Sequence, residues 1–197
     1  MSTEELAKQK NELVRNWFIQ AAKEIILREG VEGVSVRKVA QTTGYSYATI
    51  YHYFADLNAL LLSVKERMVD DVAAHFSVGG SAPLHSLDDL KRSNRAYVQY
   101  YLDRPNAYHF FYSYRFEHAP APDYDTKFQN GWITSYQTFV ESGLLRPQDV
   151  ILTAKTVIYT VQGLLALYFS SNGLTQEKLF QDMDDIADYL FRERSRL

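Results

Sequence analysis

Apolar residues recur along the chain at helical spacing, and no stretch alternates with period two for long enough to require a strand. The first run spans about Thr3 to Glu29, with Val14, Phe18, Ala21 and Ile25 on one face and Gly30 ending it. Ser35 can cap a short second helix whose inward residues are Val36, Val39 and Ala40. Gly44 closes that helix, because a glycine just past a helix takes the left-handed backbone without a Cβ clash. Ser46 can cap a third helix that buries Ile50 and Phe54 and leaves Tyr47, Thr49, Tyr51 and His52 to point outward. Asp56 can cap a fourth, carrying Leu60, Leu61 and Val64 to about Phe76.

The breaker cluster at residues 77–83 separates these helices from the rest. Beyond it, the pattern predicts a fifth helix from Ser86 to about Asp103 and a sixth from Pro105 to near Phe116. A surface loop follows from Glu117 to Asp123, then a seventh helix from about Tyr124 to Ser142 that stops at Gly143. The eighth runs from near Pro147 to near Ser171, and the ninth, capped by Thr175, from Gln176 to about Arg194. The expected architecture is all-α with about nine helices: a three-helix reader over residues 1–56, then a helical bundle over residues 57–197. The eighth helix carries Val150, Ala154, Val157, Val161, Leu164 and Tyr168 on one stripe and Ile151, Ile158, Leu165 and Phe169 on another. A helix apolar on more than one face is covered on more than one side. The ninth adds Leu179, Met183, Ile186 and Leu190. The pair is either the inside of one bundle or a four-helix contact between two copies.

Two short helices around a glycine turn, the second rich in hydrogen-bonding side chains, have the layout of a helix-turn-helix DNA reader. The run from Ala21-Ala22 through Gly30, Ser35-Val36, Val39-Ala40, Gly44, Ser46, Thr49-Ile50-Tyr51, Tyr53-Phe54 and Leu60-Leu61 resembles the N-terminal signature of the TetR family of transcriptional regulators. Leu57 stands where family members usually carry a lysine that contacts phosphate, and Tyr45 replaces the usual small aliphatic residue in the turn. The resemblance implies a ligand-responsive regulator, most often a repressor, with an effector in the C-terminal bundle. It also favours a homodimer formed through the last two helices, with Val157, Val161, Leu164, Tyr168, Met183, Ile186 and Leu190 at the interface. Two readers related by a two-fold axis meet a palindromic operator in double-stranded DNA.

Ser35, Arg37, Lys38, Ser46, Tyr47, Ala48, Thr49, Tyr51 and His52 are the DNA-binding candidates. The start of the third helix is the part that reaches base edges, and Arg37, Lys38, Tyr51 and the Ser35 hydroxyl suit the phosphate backbone. The net charge of −3 argues against a nucleic-acid binder until it is divided by region, since Ser35 to Ala55 holds Arg37 and Lys38 and no acid. That footprint is small, so hydroxyl and backbone donors must carry a larger share of binding.

Aromatics make up 14% of the chain and concentrate on helices five to seven, beyond what packing requires. Tyrosine keeps a polar tip that needs a partner when buried, and an apolar cavity with a few convergent polar groups is how small-molecule sites are built. Tyr100, Phe111, Arg115, Trp132, Tyr136, Tyr159 and Gln162 are the candidate effector-binding residues, for a small hydrophobic or aromatic molecule.

Other chemistry is poorly supplied. The chain has no cysteine, and its five histidines show no metal-binding spacing, so no metal or cofactor is expected. No phosphate loop, dinucleotide fingerprint or nucleophile elbow appears. Thr156 to Phe169, the most apolar segment, contains Gln162 and is shorter than the roughly 20 residues of a membrane span. Met1 is followed by Ser-Thr-Glu-Glu rather than by a secretory signal. The expectation is a cytoplasmic regulator and not an enzyme. The alternative is an all-helical small-molecule-binding protein or enzyme with a vestigial helix-turn-helix.

Overall fold

The computed structural model describes residues 2–78, 84–117 and 133–192. Among them are helices α1 (Thr3–Glu29), α2 (Val36–Thr43), α3 (Tyr47–Tyr53), α4 (Leu57–Val78), α5 (Leu87–Leu102), α6 (Pro105–Tyr112), α7 (Gln137–Glu141), α8 (Val150–Tyr168) and α9 (Gln176–Arg192). Tight 3-10 turns lie at Val31–Gly33 and Pro147–Asp149, and no strand occurs among the described residues. Packing divides the chain into two units, Met1–Ala73 with Asp103–Pro122, and Ala74–Leu102 with Asp123–Leu197.

In the first unit, α1 opens with a capping box: the Ser2 hydroxyl accepts from the Glu5 N–H, and the Glu5 carboxylate accepts from the Ser2 N–H. It ends at Gly30, whose φ of 82° is open to glycine at no steric cost. Phe18, Ala22, Ile25 and Ile26 form its buried face, against Val39, Ile50, Phe54, Leu60 and Val64. Helix α6 packs here too, and its Asn106 side chain donates to the Leu27 carbonyl left open at the end of α1, at 3.1 Å. The expected boundary after Asp56 therefore differs from the division by packing, since most of α4 and all of α6 belong with the reader.

Helix α6 also stops at Tyr112, short of the expected Phe116. The Ser113 and Tyr114 N–H groups both bond the His109 carbonyl, which closes the last turn. The chain then folds back so that Tyr114 and Phe116 lie against Phe110, with ring centroids 6.0 and 5.6 Å away. Much of the aromatic concentration expected of a ligand cavity is thus core of the first unit.

In the second unit, α5, α8 and α9 pack together around Tyr97, Tyr101, Val161, Leu165, Leu179 and Met183, each buried. Lys91 pairs with Asp188 at 2.6 Å and Arg95 with Asp184, so α5 is tied to α9 by charge as well as by apolar contact. The expected seventh helix is described only from residue 133, and it breaks at Tyr136, where the Tyr136 and Phe139 N–H groups bond carbonyls three residues back. Its first half, most of the Ala-Pro loop, Trp132 and residues 79–83 of the breaker cluster lie outside the described residues. Pro147–Tyr168 is long and apolar enough to cross a membrane by length and composition. Its inner face is instead spent on α5 and α9.

Ser86 opens α5 with its hydroxyl 2.7 Å from an Asp89 oxygen and accepts from the Asp89 N–H at 3.1 Å. That hydroxyl, then Arg92, then the His85 N–H hold the Asp89 carboxyl down at about 2. Because the folded value lies below the unfolded one of about 3.9, the group stabilises the fold above that pH and ceases to as pH falls toward 2. Asp89→Asn is expected to lower Tm at pH 7. The difference from the unmodified protein should shrink as thermal scans are repeated toward pH 2, and a gap that stays constant with pH would show that the charge is not its source.

Candidate nucleic-acid interface

The reader is assembled by three local devices. Ser35 caps α2, its hydroxyl accepting from the Lys38 N–H at 3.2 Å, and leaves Arg37 exposed. Gly44, at φ 75°, reverses the chain in the left-handed region. Ser46 caps α3, its hydroxyl accepting from the Thr49 N–H at 3.2 Å.

Burial then sets the orientation of α3. Ile50 and Phe54, 2% and 3% exposed, point into the core. Tyr53 also turns inward, its ring 5.6 Å from Phe18 and its hydroxyl donating to Asn11 Oδ1 at 2.6 Å. Tyr47, Ala48, Tyr51 and His52 are left together on the exposed side. Thr49 is less available than its sequence position implies: it is half-buried, and its hydroxyl lies 2.9 Å from that of Ser46. Tyr45 packs in the turn, its ring 5.3 Å from Phe18 and 6.2 Å from Trp17. Leu57 lies partly buried against the core, and Asp56 next to it caps α4 by accepting from the Ala59 N–H at 2.7 Å.

The charge that does exist is held in check. Lys38 pairs with Glu29, which also takes Arg28 at 2.8 Å. The Lys38 hydrogen bond first, and the Arg28 one second, hold the Glu29 carboxyl below the usual carboxylate range. Glu29 sits at the negative end of α1 and Lys38 in the positive first turn of α2, so each occupies a place the helix dipole disfavours and each relieves the other. Gly33 leaves room for the Glu29 side chain, since a Cβ there would lie 3.0 Å from the Glu29 Cβ and 3.3 Å from its carboxylate oxygen. The sequence reading passed over Glu29. Its signal was an acid at a helix C-terminus just ahead of a helix that starts with cations.

Residues 18–64, from the buried end of α1 through α4, match the family model described as bacterial regulatory proteins, tetR family. This segment is the N-terminal region characteristic of the TetR family. Curated proteins yield no match. Among solved structures, the chain is similar to a TetR transcriptional regulator from Rhodococcus sp. RHA1 at 17% identity, covering 93% of this chain and 97% of that one, with a TM-score of 0.62. A TetR-family regulator from Mesorhizobium loti MAFF303099 matches at 18% identity, with the same coverage and a TM-score of 0.64. NalD from Pseudomonas aeruginosa, the secondary repressor of the MexAB-OprM multidrug efflux pump, matches at 20% identity over 95% and 96% of the two chains, with a TM-score of 0.56. These likenesses show that the TetR fold extends beyond the matched N-terminal segment.

The other candidate residues are dispersed. Phe111, in the first unit, packs against the reader core, and Arg115 in the same unit is exposed. In the second unit Tyr159 is 57% exposed, Tyr100 is half-buried beside Tyr101, and Gln162 donates to the Tyr97 hydroxyl at 2.6 Å. Tyr136 is fully buried, which pushes its pKa well up, and among the described residues its hydroxyl has no hydrogen-bond partner. The expected dimer stripe is largely used inside one chain: Val157, Val161, Leu164 and Met183 are buried, while Tyr168, Ile186 and Leu190 are half-buried. The physical reason is that α8 has two apolar faces, and α5 and α9 take the one with Val157 and Val161.

Arg37→Ala is expected to weaken binding about equally for all duplex sequences and to flatten the salt dependence by about one unit of slope. Glu29→Gln should do the opposite. A surface ion pair contributes little to stability, so Lys38 freed of its partner should add to phosphate binding. Fluorescence anisotropy on a random duplex across a salt series measures both effects, and equal affinities for Glu29→Gln and the unmodified chain would show that Lys38 does not reach phosphate.

Proposed function

We propose that this TetR-family chain is a homodimeric repressor, acting in the cytoplasm, that leaves a palindromic operator when a small hydrophobic or aromatic effector binds. The observation that carries the DNA-binding half is the exposed face of Tyr47, Ala48, Tyr51 and His52, held rigid because the opposite face of α3 is buried. Similarity to NalD, itself a repressor, supports repression as the direction of control.

The dimer is assigned to the outward side of the last two helices. Ile151, Leu152, Tyr159 and Leu167 on α8 are 54–64% exposed, and Tyr189 on α9 is 65% exposed. Leu152, Tyr159, Gly163 and Leu167 follow helical spacing, and Gly163 has open space around it for a close approach. A second copy would cover this face. Leu167→Glu should give a monomer with unchanged helical content, because more than half of the side chain is exposed in one chain. Sedimentation showing an intact dimer in that variant would contradict the assignment.

The effector half rests on two buried polar groups of the second unit, the Tyr136 hydroxyl and Asn94 Oδ1, that have no hydrogen-bond partner among the described residues. A buried unpaired polar atom is costly, and a bound molecule is one way to satisfy it. Tyr100, Tyr136 and Gln162 remain in the proposed site, with Trp132 from outside the described residues. Tyr159 is left out because it is exposed, and Phe111 and Arg115 belong to the first unit. Occupancy acts only if the effector prefers one arrangement of the two readers, and a differential of about 1–3 kcal/mol changes operator affinity about 5–150-fold. Thermal-shift screening of apolar and aromatic compounds, followed by gel shift against DNA flanking the protein's own gene, is expected to give hits that stabilise the protein and release the DNA. Hits that leave DNA binding unchanged would remove the switch.

A further inference from the structure

The reading face of α3 lacks every side chain that makes two-pronged contacts with a base. Arginine or lysine reads guanine that way, asparagine or glutamine reads adenine, and a carboxylate accepts from cytosine. Tyr47–Tyr53 and the Ser46 cap contain none of these. Among the remaining polar groups on α3, the Thr49 hydroxyl is engaged with Ser46 and Tyr53 is turned inward to Asn11. The exposed surface is then made of Tyr47 and Tyr51, 51% and 53% exposed, with the exposed Ala48 methyl and His52 beside them. Tyr47 and Tyr51 stand one helical turn apart and so lie side by side. Their rings and the Ala48 methyl make an apolar patch whose polar tips are at its rim.

The major groove offers one apolar feature to such a patch, the C5-methyl group of thymine. We propose that this chain reads its operator through thymine methyl groups, with Tyr47, Ala48 and Tyr51 as the specificity-determining residues. The tyrosine hydroxyls serve the neighbouring phosphates and His52 the adjoining base edge. The meagre charge of the reader fits this division, because discrimination made by methyl contact is independent of phosphate attraction. The inference rests on the DNA-binding reading above and names the class of sequence that reading leaves open.

The test starts with selection of the full-length protein on a random-sequence duplex library. The expected result is an enriched site with thymines facing the groove in each half. The recovered duplex is then remade with deoxyuridine for thymidine, which removes only the methyl, and separately with 7-deazaguanine for guanine. Each contacted thymine replaced by uracil should weaken binding about 4-fold, the worth of one buried methyl group. In Tyr47→Ala or Tyr51→Ala the penalty at one position should disappear, whereas Tyr47→Phe and Tyr51→Phe should keep it. A uracil duplex bound at full strength, with affinity lost on 7-deazaguanine, would overturn the inference and leave the DNA-binding reading standing. A selection that enriches no sequence at all would remove the DNA-binding reading itself.

Discussion

Phe18 is the constraint on which the reader depends. With no exposed surface, its ring meets Tyr45 in the turn and Tyr53 on the last turn of α3, so one side chain of α1 fixes the approach and the exit of the recognition helix together. A buried phenylalanine is worth about 3–5 kcal/mol against truncation, a large part of the roughly 5–15 kcal/mol that holds a domain folded. Ile50 and Phe54 then lock the helix about its axis, and the exposed face follows as a geometric remainder. Asn106 extends the same logic, because α6 uses it to close the open end of α1 and so joins the reader unit far from it in sequence.

Charge has a smaller part in this reader than in most nucleic-acid binders. Lys38 is shared with Glu29, Leu57 contributes packing where a lysine is usual in the family, and Arg37 is the exposed cation of α2. Phosphate attraction supplies most of nonspecific binding, so a reader that mutes it keeps its nonspecific affinity low. In the proposed reading, discrimination among sequences comes from the fit of α3 to base edges. Glu29, which takes part of that charge by pairing with Lys38, lies outside the helix-turn-helix itself.

What was legible in the sequence was what is decided locally. The ends of α1, the caps Ser35 and Ser46 and the turn at Gly44 depend on side chains within a few residues, and the structure places them as the pattern predicts. The end of α6 was not legible, because Tyr114 and Phe116 leave the helix to meet Phe110 and the Asn58 side chain donates to the Glu117 carbonyl. The two apolar faces of α8 were visible too, yet periodicity cannot say which one a neighbouring helix in the same chain will take. Val157 and Val161 went inward and Tyr159 and Leu167 stayed out. Thr49 illustrates the same limit at the reader: its spacing put it on the reading face, and the Ser46 hydroxyl drew it into the cap.

The central claim is that specific recognition here is separable from phosphate attraction, and the salt dependence of binding tests it most directly. The affinity of the dimer for a selected duplex should be measured by anisotropy from low to physiological salt, beside a scrambled duplex. With Arg37 the exposed cation of α2 and Lys38 paired to Glu29, about 2–4 phosphates should be neutralised by the two readers, which gives a slope of log affinity on log salt of about −2 to −4. Preference for the selected duplex should persist as salt rises. A slope of about −8 or steeper, with the preference lost as salt rises, would mean that charge carries recognition and would contradict the account.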